Sequence, residues 1–412
     1  MNRTPTLLAL LSLCLVAAPA AEAAPRKDGF KRIKKQLRYA AAQGNQDMVC
    51  DLIAKAAEDD SKRAVDLILG TAITMPKGKV FAATADALEG VKSEGAIEAL
   101  ASKVEKRGGH PGVKVLCIDA LAKRSDARSG KALGAALTEK RPAVLRAALK
   151  AIRKRKPVEA IDGLFGLHER LLKYEKKRPD DFLQSEVESA LIEMTGKYFE
   201  NVEDWKKYWA LQKETGRTVT GGGKDAPSTG ERKKKPRPRF FGTEIRSSFI
   251  IFVIDVSGSM QGNRLVKAKA ALTKCIDGLT ARSRFTIVAY SSSAKQWNKN
   301  LQIASPNNKN KAKEFINALQ ATGNTRTLFA LKEGFNIKGA DTIILLSDGV
   351  PTGVNNKGER ITEDTILDEI RGVNTTKKWR IDTFGFTSAG GELEKFMKSL
   401  AEKNDGKFTP IQ

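Results

Sequence analysis

Three oxygen-bearing side chains stand at alternate positions in the stretch Asp255-Val256-Ser257-Gly258-Ser259. They directly follow a near-continuous apolar run, Phe249 to Ile254, which is typical of a strand buried on both faces of a parallel sheet. A helical pattern begins after Gly262. Because open α/β sheets bind ligands at the carboxyl ends of their strands, these oxygens form a candidate site. Carboxylate and hydroxyl ligands without His or Cys favour Mg²⁺, Mn²⁺ or Ca²⁺ over zinc.

Two further polar clusters follow in the same part of the chain. Thr325 lies in the sequence T-G-N-T-R-T, just ahead of a helical pattern, and Asp348 follows the buried apolar run 343–346 after one serine. Carboxyl ends of parallel strands meet at one edge of a sheet, so we expect the three loops to converge. The predicted metal ligands are Asp255, Ser257, Ser259, Thr325 and Asp348. The alternative, that these residues only cap helices and end strands, explains single serines but not the whole set.

The elements that must position these residues alternate between strands and helices from Ile245 onward. The predicted strands are Phe249–Ile254, Phe285–Tyr290, Ala294–Gln302 at an edge, Thr342–Leu346, Arg380–Phe386 and a last one that begins near Phe408. The predicted helices are Arg264–Leu279, Lys311–Leu319, Leu328–Phe335, Thr362–Val373 and Leu393–Lys403. Such alternation predicts a Rossmann-like α/β domain over residues 245–412, with a mostly parallel central sheet and helices on both faces.

On these residues the C-terminal domain resembles a von Willebrand factor type A domain. Asp255-x-Ser257-x-Ser259, Thr325 and Asp348 fall where that family keeps its metal-ion-dependent adhesion site. The resemblance implies that Ser257, Ser259 and Thr325 bind the metal directly, and that the two carboxylates act largely through water. It departs from the family at Asn324, where many members carry a second glycine. An octahedral ion held in this way keeps a position that a partner's Asp or Glu can fill.

The N-terminal region, residues 31–214, is predicted to be helical throughout. Ala-Leu and Ala-Ile pairs begin at Ala87, Ala120 and Ala151, at offsets of about 31–33 residues,. The region resembles HEAT-like repeats, although its period is shorter, and it is predicted to form an α-solenoid. An irregular helical bundle is the alternative. A closing helix that caps the stack is expected around Trp205, Tyr208 and Trp209.

Residues 1–24 are predicted to be a secretory signal peptide, because a short basic start precedes an apolar stretch and small-x-small cleavage sequences,. Residues 215–244 are predicted to be a basic linker rich in Gly and Pro. No later segment is apolar enough for a transmembrane helix. These features predict an exported protein of bacterial type, either periplasmic or secreted to the cell surface.

The bulk composition limits the chemistry. The chain of 412 residues contains four cysteines, and Cys14 lies within the predicted signal peptide. Cys50, Cys117 and Cys275 form an odd set without disulfide spacing, so free thiols are expected. The two histidines, at positions 110 and 168, do not pair with a candidate nucleophile,. Zinc chemistry and Ser-His or Cys-His hydrolysis are therefore disfavoured.

We expect a non-enzymatic adhesion or scaffold protein, whose metal site binds a carboxylate of a protein partner and whose solenoid provides a second interaction surface. The formal net charge of +24 favours acidic partners,. The first alternative is a protein that binds polyanions or an acidic surface through its solenoid and linker, without a specific nucleic-acid target. The second alternative is a metal-dependent hydrolase that uses Asp255 or Asp348. The identity of the partner and the oligomeric state are left open.

Overall fold

The computed structural model describes residues 27–174, 181–214, 237–354, 360–387 and 389–412. The predicted signal peptide 1–24 and residues 215–236 of the predicted linker lie outside the described residues. Among the residues described, no helix is both long and apolar enough to cross a bilayer. Cys50, Cys117 and Cys275 are free thiols, and burial raises the pKa of Cys117 and of Cys275 to about 12.

The N-terminal region is all-α. Its helices are α1 Lys27–Ala42, α2 Gln46–Ala57, α3 Lys62–Thr74, α4 Gly78–Glu89, α5 Glu94–Glu105, α6 Pro111–Leu121, α7 Ala127–Ala136, α8 Pro142–Arg155, α9 Ile161–Tyr174, α10 Asp181–Thr195 and α11 Val202–Glu214. Polar N-cap residues precede α3, α5 and α7. The side chains of Ser61, Ser93 and Asp126 accept hydrogen bonds from amides in the first turns of these helices,. Proline at the first position begins α6 and α8,.

The helices stack in two layers. From α2 to α8, each helix packs against the next helix but one, so even-numbered helices form one layer and odd-numbered helices the other. Hydrogen bonds repeat at the same offset as the sequence pattern: Asp60 accepts from the amide of Lys92, 32 residues later, and Arg170 donates to the carbonyls of Leu137 and Thr138, 33 and 32 residues earlier. This stacking confirms the predicted α-solenoid over an irregular bundle.

Arg170 provides a test of these contacts between repeats. Its guanidinium donates to three carbonyl oxygens that follow α7, those of Leu137, Thr138 and Glu139, at 2.7, 2.9 and 2.9 Å. We expect Arg170→Gln to lower the free energy of unfolding by about 1.5 kcal/mol, because these carbonyls lose a charged donor. Urea unfolding followed by circular dichroism measures the change. Lys173→Gln, at an exposed position of the same helix, is the control, and equal midpoints for the two variants would contradict the prediction.

The predicted closing helix corresponds to α11. Trp205 is fully buried and packs edge-on against His168, Tyr198 and Phe199, with ring centroids 5.6–5.9 Å apart. Trp209 is also buried. The aromatic side chains therefore cover the end of the helical stack, as the sequence predicts.

The C-terminal part is an α/β domain. Its strands are β1 Arg239–Phe240, β2 Thr243–Glu244, β3 Phe249–Asp255, β4 Arg284–Tyr290, β5 Ala294–Gln296, β6 Gln302–Ile303, β7 Thr342–Ser347, β8 Arg380–Phe386 and β9 Phe408–Ile411. Its helices are α12 Asn263–Asp277, α13 Pro306–Asn317, α14 Thr327–Asn336, α15 Glu363–Asn374 and α16 Glu392–Lys403. The main sheet has the order β5-β4-β3-β7-β8-β9, and β6 also pairs with β4. Neighbouring strands in the series β4-β3-β7-β8-β9 pair in parallel. Strands β5 and β6 both pair antiparallel with β4.

Successive residues of β3 pack on opposite faces of the sheet. Ile250, Phe252 and Ile254 lie in the core shared with α12 and α13. Ile251 and Val253 lie in the core shared with α14, α15 and α16. Burial on both faces explains why this strand is a continuous apolar run.

Three boundaries differ from the sequence predictions. Helix α13 begins at Pro306 and not at Lys311, because Ser305 caps it and proline suits the first turn,. The predicted edge strand 294–302 is two short strands, β5 and β6. Residues 239–244, predicted as linker, instead form a hairpin in which the fully buried Phe240 packs against Phe252 and Phe384.

The even-numbered layer of the solenoid packs against the α/β domain. Gly78 at the start of α4 meets Gly372 in α15, and a Cβ atom on Gly372 would lie 2.7 Å from the carbonyl carbon of Gly78. Polar contacts surround this point: Asp86 with Arg371, Asp119 with Lys378 at 2.6 Å, Lys150 with Asp405 at 2.5 Å, and Arg146 with the carbonyls of Lys377 and Lys378 at 3.1 and 3.0 Å. The two domains therefore share a packed, charge-paired interface.

This interface lies at the amino edge of the sheet. Asp341 comes directly before β7 and faces Arg146 across the interface at 3.9 Å, and Lys378 comes before β8. Burial raises the pKa of Asp341, and the positive charge of Arg146 opposes that rise,. The carboxyl ends of the strands, about 20 Å away along six residues of β7, point in the opposite direction.

Candidate metal centre

The candidate site begins where β3 ends. Strand β3 lies between β4 and β7, which the chain reaches on opposite sides of it, so the carboxyl end of β3 is the topological switch point of the sheet,. The register pairs Ile254 with Leu346, which places Asp255 level with Ser347. The strand order thus brings the polar ends of two separate sequence stretches together.

Asp255 is the buried carboxylate of the site, with none of its surface exposed. One carboxylate oxygen, Oδ1, accepts a hydrogen bond from the amide of Ser257 at 2.8 Å, and the other accepts from Ser347 Oγ at 2.5 Å. Burial raises the pKa of Asp255, the nearby charge of Asp348 adds to that rise, and the two serines oppose it,. A cation in the site would favour the ionised form of this carboxylate.

The two predicted serines connect Asp255 to the second carboxylate. Ser257 Oγ lies 3.1 Å from Ser259 Oγ, and Ser259 Oγ donates to Asp348 Oδ1 at 2.7 Å. The side chain of Asp348 is buried, while Ser259 is exposed. The hydroxyls therefore form a continuous polar line from the interior of the sheet to solvent.

Thr325 reaches the same place through backbone contacts between the loops. The amide of Gly258 donates to the carbonyl of Gly323 at 2.9 Å, and the amide of Thr325 donates to Thr352 Oγ1 at 3.0 Å. A Cβ atom on Gly349 would lie 3.2 Å from Thr325 Oγ1 and 3.5 Å from Ser259 Oγ. Both hydroxyls thus lie beside Gly349, and all five predicted residues meet at one edge of the sheet.

The loop before Thr325 needs only one glycine. Gly323 has a φ of +80°, a conformation that side chains other than glycine rarely adopt,. Asn324, where many members of the family have a second glycine, has no positive φ, and its amide donates to Ser292 Oγ at 3.0 Å. The departure at Asn324 is therefore compatible with the position of Thr325.

The donor set fits a hard divalent cation. It consists of two carboxylates and three hydroxyls, which are ligands for Mg²⁺, Mn²⁺ or Ca²⁺ and poor ligands for zinc. Within the described ranges, no group of three or more His, Cys, Asp or Glu side chains could hold a metal ion. A metal here would therefore depend on the hydroxyls as well as on the carboxylates. Glycine at position 349 agrees with that requirement, because a Cβ atom there would crowd the Thr325 hydroxyl at 3.2 Å.

Three residues of the site were missed by the sequence analysis. Ser347 donates to Asp255, Gly349 allows the Thr325 and Ser259 hydroxyls to approach the backbone closely, and Arg264 donates to Asp348 Oδ2 at 2.6 Å. The first two flank Asp348 in the sequence Ser-Asp-Gly, so their position next to a predicted ligand could have identified them. Arg264, in the first turn of α12, has no distinguishing sequence signal.

Comparison with known protein families identifies the domain that contains these loops. The family model described as the von Willebrand factor type A domain matches residues 248–409. These residues form a von Willebrand factor type A domain. The match covers strands β3 to β8, the start of β9 and the three loops of the candidate site. The N-terminal all-α region lies outside it.

Curated relatives match part of the chain. Inter-alpha-trypsin inhibitor heavy chain H4 of Homo sapiens is 33% identical over 170 residues, which cover 38% of this chain and 17% of that protein. Its counterpart in Bos taurus is 37% identical over 115 residues, covering 25% of this chain and 13% of the relative. The chain thus spans a small part of these relatives. Among solved structures, a von Willebrand factor type A protein from Catenulispora acidiphila is 24% identical, with a TM-score of 0.34 and coverage of 40% of this chain and 39% of that one.

Proposed function

We propose that this is an exported, non-enzymatic adhesion or scaffold protein that binds an acidic residue of a protein partner through a divalent metal, Mg²⁺ first and Mn²⁺ or Ca²⁺ as alternatives. The observation that carries the proposal is the meeting of two carboxylates and three hydroxyls at the carboxyl edge of a type A domain. A binding role follows from the donor set, because neutral hydroxyls leave net positive charge on the ion. That charge is available to a partner's carboxylate.

Each predicted residue has a role in this proposal. Ser257, Ser259 and Thr325 would contact the metal through their hydroxyl oxygens, and Asp255 and Asp348 would hold it largely through water. The bound cation would supply a Lewis-acidic position for a carboxylate oxygen. Ser347 orients Asp255 by its hydrogen bond at 2.5 Å. The chain's formal net charge of +24 favours the approach of an acidic partner,.

The solenoid is proposed as a second interaction surface. Its even-numbered layer contacts the type A domain through α4, α6 and α8. The odd-numbered layer, which includes α3, α5 and α7, is therefore the surface that we assign to a second partner. The solenoid and the metal edge lie at opposite ends of the sheet. A partner on the odd-numbered layer and a partner on the metal edge can therefore bind at the same time.

Partner capture from the exported fraction, in Mg²⁺ and then in EDTA, tests the proposal. We expect proteins to be retained in Mg²⁺ and released by EDTA. Gly349→Ala should reduce this capture strongly, because its Cβ atom would crowd Thr325 Oγ1 at 3.2 Å. Gly353→Ala, where a Cβ atom makes only ordinary contact with Ile361 at 3.7 Å, is the matched control on the same loop. Capture that is indifferent to EDTA and to Gly349→Ala would refute the proposal.

A further inference from the structure

The guanidinium of Arg264 contacts two residues of the candidate metal site. Its Nη1 donates to Asp348 Oδ2 at 2.6 Å and to the carbonyl of Ser259 at 3.2 Å. Both contacts are to residues of the predicted ligand set, although Arg264 itself is not a member of that set. The guanidinium is therefore a charged neighbour of two of the proposed ligands.

The burial of the two partners is unequal. The side chain of Asp348 is 0% exposed, whereas that of Arg264 is 49% exposed. A buried carboxylate needs a positive charge or several donors nearby, and Arg264 supplies the positive charge. A half-exposed arginine can leave such a contact at lower cost than a buried one, because its charge returns to water.

There is space for Arg264 to move into. A cavity of about 650 Å³ adjoins the site and is lined by Arg264, Asp348, Lys267 and Phe386, among others. Arg264 lies in the first turn of α12, so its side chain can turn into this cavity without any change in the helix. Movement of this one side chain would remove the guanidinium that contacts Asp348 Oδ2.

We propose that Arg264 and a divalent cation compete for Asp348, so that Arg264 lowers the metal affinity of the site. The inference rests on the proposed metal-binding function. Asp348 is shared because its Oδ1 faces Ser259 in the ligand set and its Oδ2 faces the guanidinium. Two cations close to one carboxylate repel each other, and this repulsion disfavours the presence of both.

A partner's carboxylate would change this balance. Once a cation holds Asp348, the guanidinium lies in the adjoining cavity, beside the metal edge of the sheet. A carboxylate there can pair with Arg264 as well as with the ion, and this removes the repulsion. Metal and acidic partner would then each strengthen the binding of the other, since such coupling is reciprocal.

Calorimetric titration of the full chain with Mn²⁺ alone tests the competition. We expect Arg264→Gln to bind Mn²⁺ about tenfold more tightly than the unmodified protein, within the range typical of coupled sites. Arg264→Lys, which keeps the charge, should remain close to the unmodified protein. Lys267→Gln is the matched control, because it removes the same charge from the same helix but contacts the carbonyl of Gln412 at 3.0 Å and not Asp348.

Thermal unfolding gives a second readout. In EDTA, Arg264→Gln should unfold at a lower temperature than the unmodified protein, because Asp348 stays buried without its charged partner. In excess Mn²⁺ this difference should disappear, because the ion then supplies the positive charge. A variant that simply fails to fold would be recognised in the EDTA measurement by circular dichroism.

The outcomes separate this inference from the function on which it rests. If all the proteins bind Mn²⁺ but Arg264→Gln does so with unchanged or lower affinity, the competition is refuted while the metal site stands. An equal gain for Arg264→Gln and Lys267→Gln would also refute it, because general charge and not displacement would then set the affinity. If none of the proteins binds Mn²⁺, both the inference and the proposed metal site are wrong.

Discussion

Asp255→Asn is expected to lose all of the stabilisation that Mn²⁺ or Mg²⁺ gives to the unmodified protein. A ligand at one hundred times its dissociation constant stabilises the folded state by about 2.7 kcal/mol. For a domain of this size that corresponds to a rise of roughly 5–10 °C in the unfolding temperature. Asparagine has the shape of aspartate but lacks the charge that the cation requires, so the variant should show no rise.

The fold itself should tolerate this change. The asparagine carbonyl can still accept from the amide of Ser257, which donates to Asp255 at 2.8 Å. Burial raises the pKa of Asp255 because a buried negative charge is unfavourable,. The asparagine carries no charge, so the variant avoids this cost. Differential scanning fluorimetry with Mn²⁺, Mg²⁺ and EDTA measures the effect. Asp277→Asn, at an exposed position of α12, should behave as the unmodified protein does. An equal response of both variants to Mn²⁺ would show that Asp255 does not take part in metal binding.

Gly372→Leu is expected to open the interface between the solenoid and the type A domain. A Cβ atom at this position would lie 2.7 Å from the carbonyl carbon of Gly78, and backbone atoms of two helices cannot move aside as a flexible side chain can. Overpacking typically lowers the free energy of unfolding by about 1–3 kcal/mol. Because the new side chain would clash with backbone atoms, we expect a cost of about 3 kcal/mol, the upper end of this range. The surrounding ion pairs, such as Asp119 with Lys378 at 2.6 Å, depend on the same close approach and should be lost with it.

Small-angle X-ray scattering and amide hydrogen exchange measure this opening. We expect a larger radius of gyration and faster exchange in α4 and α15, with the metal response retained because the site lies at the other edge of the sheet. Gly70→Leu is the control, since nothing lies within 4 Å of a Cβ atom there. Unchanged scattering and exchange in Gly372→Leu would mean that the two helices do not form the contact on which the prediction depends.

The parts of the site that the sequence predicts are those fixed by local patterns. The apolar runs of β3 and β7 are each buried on both faces, and each leads to a carboxylate at or just after the end of its strand. The sequence therefore places Asp255 and Asp348 at one edge. Thr325 follows from its position between a glycine turn and a helix. Each inference needs only a few neighbouring residues, together with the rule that parallel strands meet at one edge.

Contacts between distant segments could not be predicted in this way. Arg264 reaches Asp348 across 84 residues, and Gly78 meets Gly372 between two domains. A glycine inside a helix carries no sign of its partner, and an arginine in a first turn resembles a solvated one. The hairpin at Phe240 was assigned to the linker because the basic run before it dominates the local composition.

The placement of the two domains at opposite edges of one sheet has a mechanical consequence. A load between partners on the two proposed surfaces would have to pass through the main sheet, where β7 lies between Asp341 at the solenoid interface and Asp348 at the metal edge. Strand β7 pairs in parallel with β3 on one side and with β8 on the other. The hydrogen bonds between parallel strands are evenly spaced along β7, so they would share a load along the strand and would not open one after another. The architecture is therefore suited to transmit tension between two attached partners.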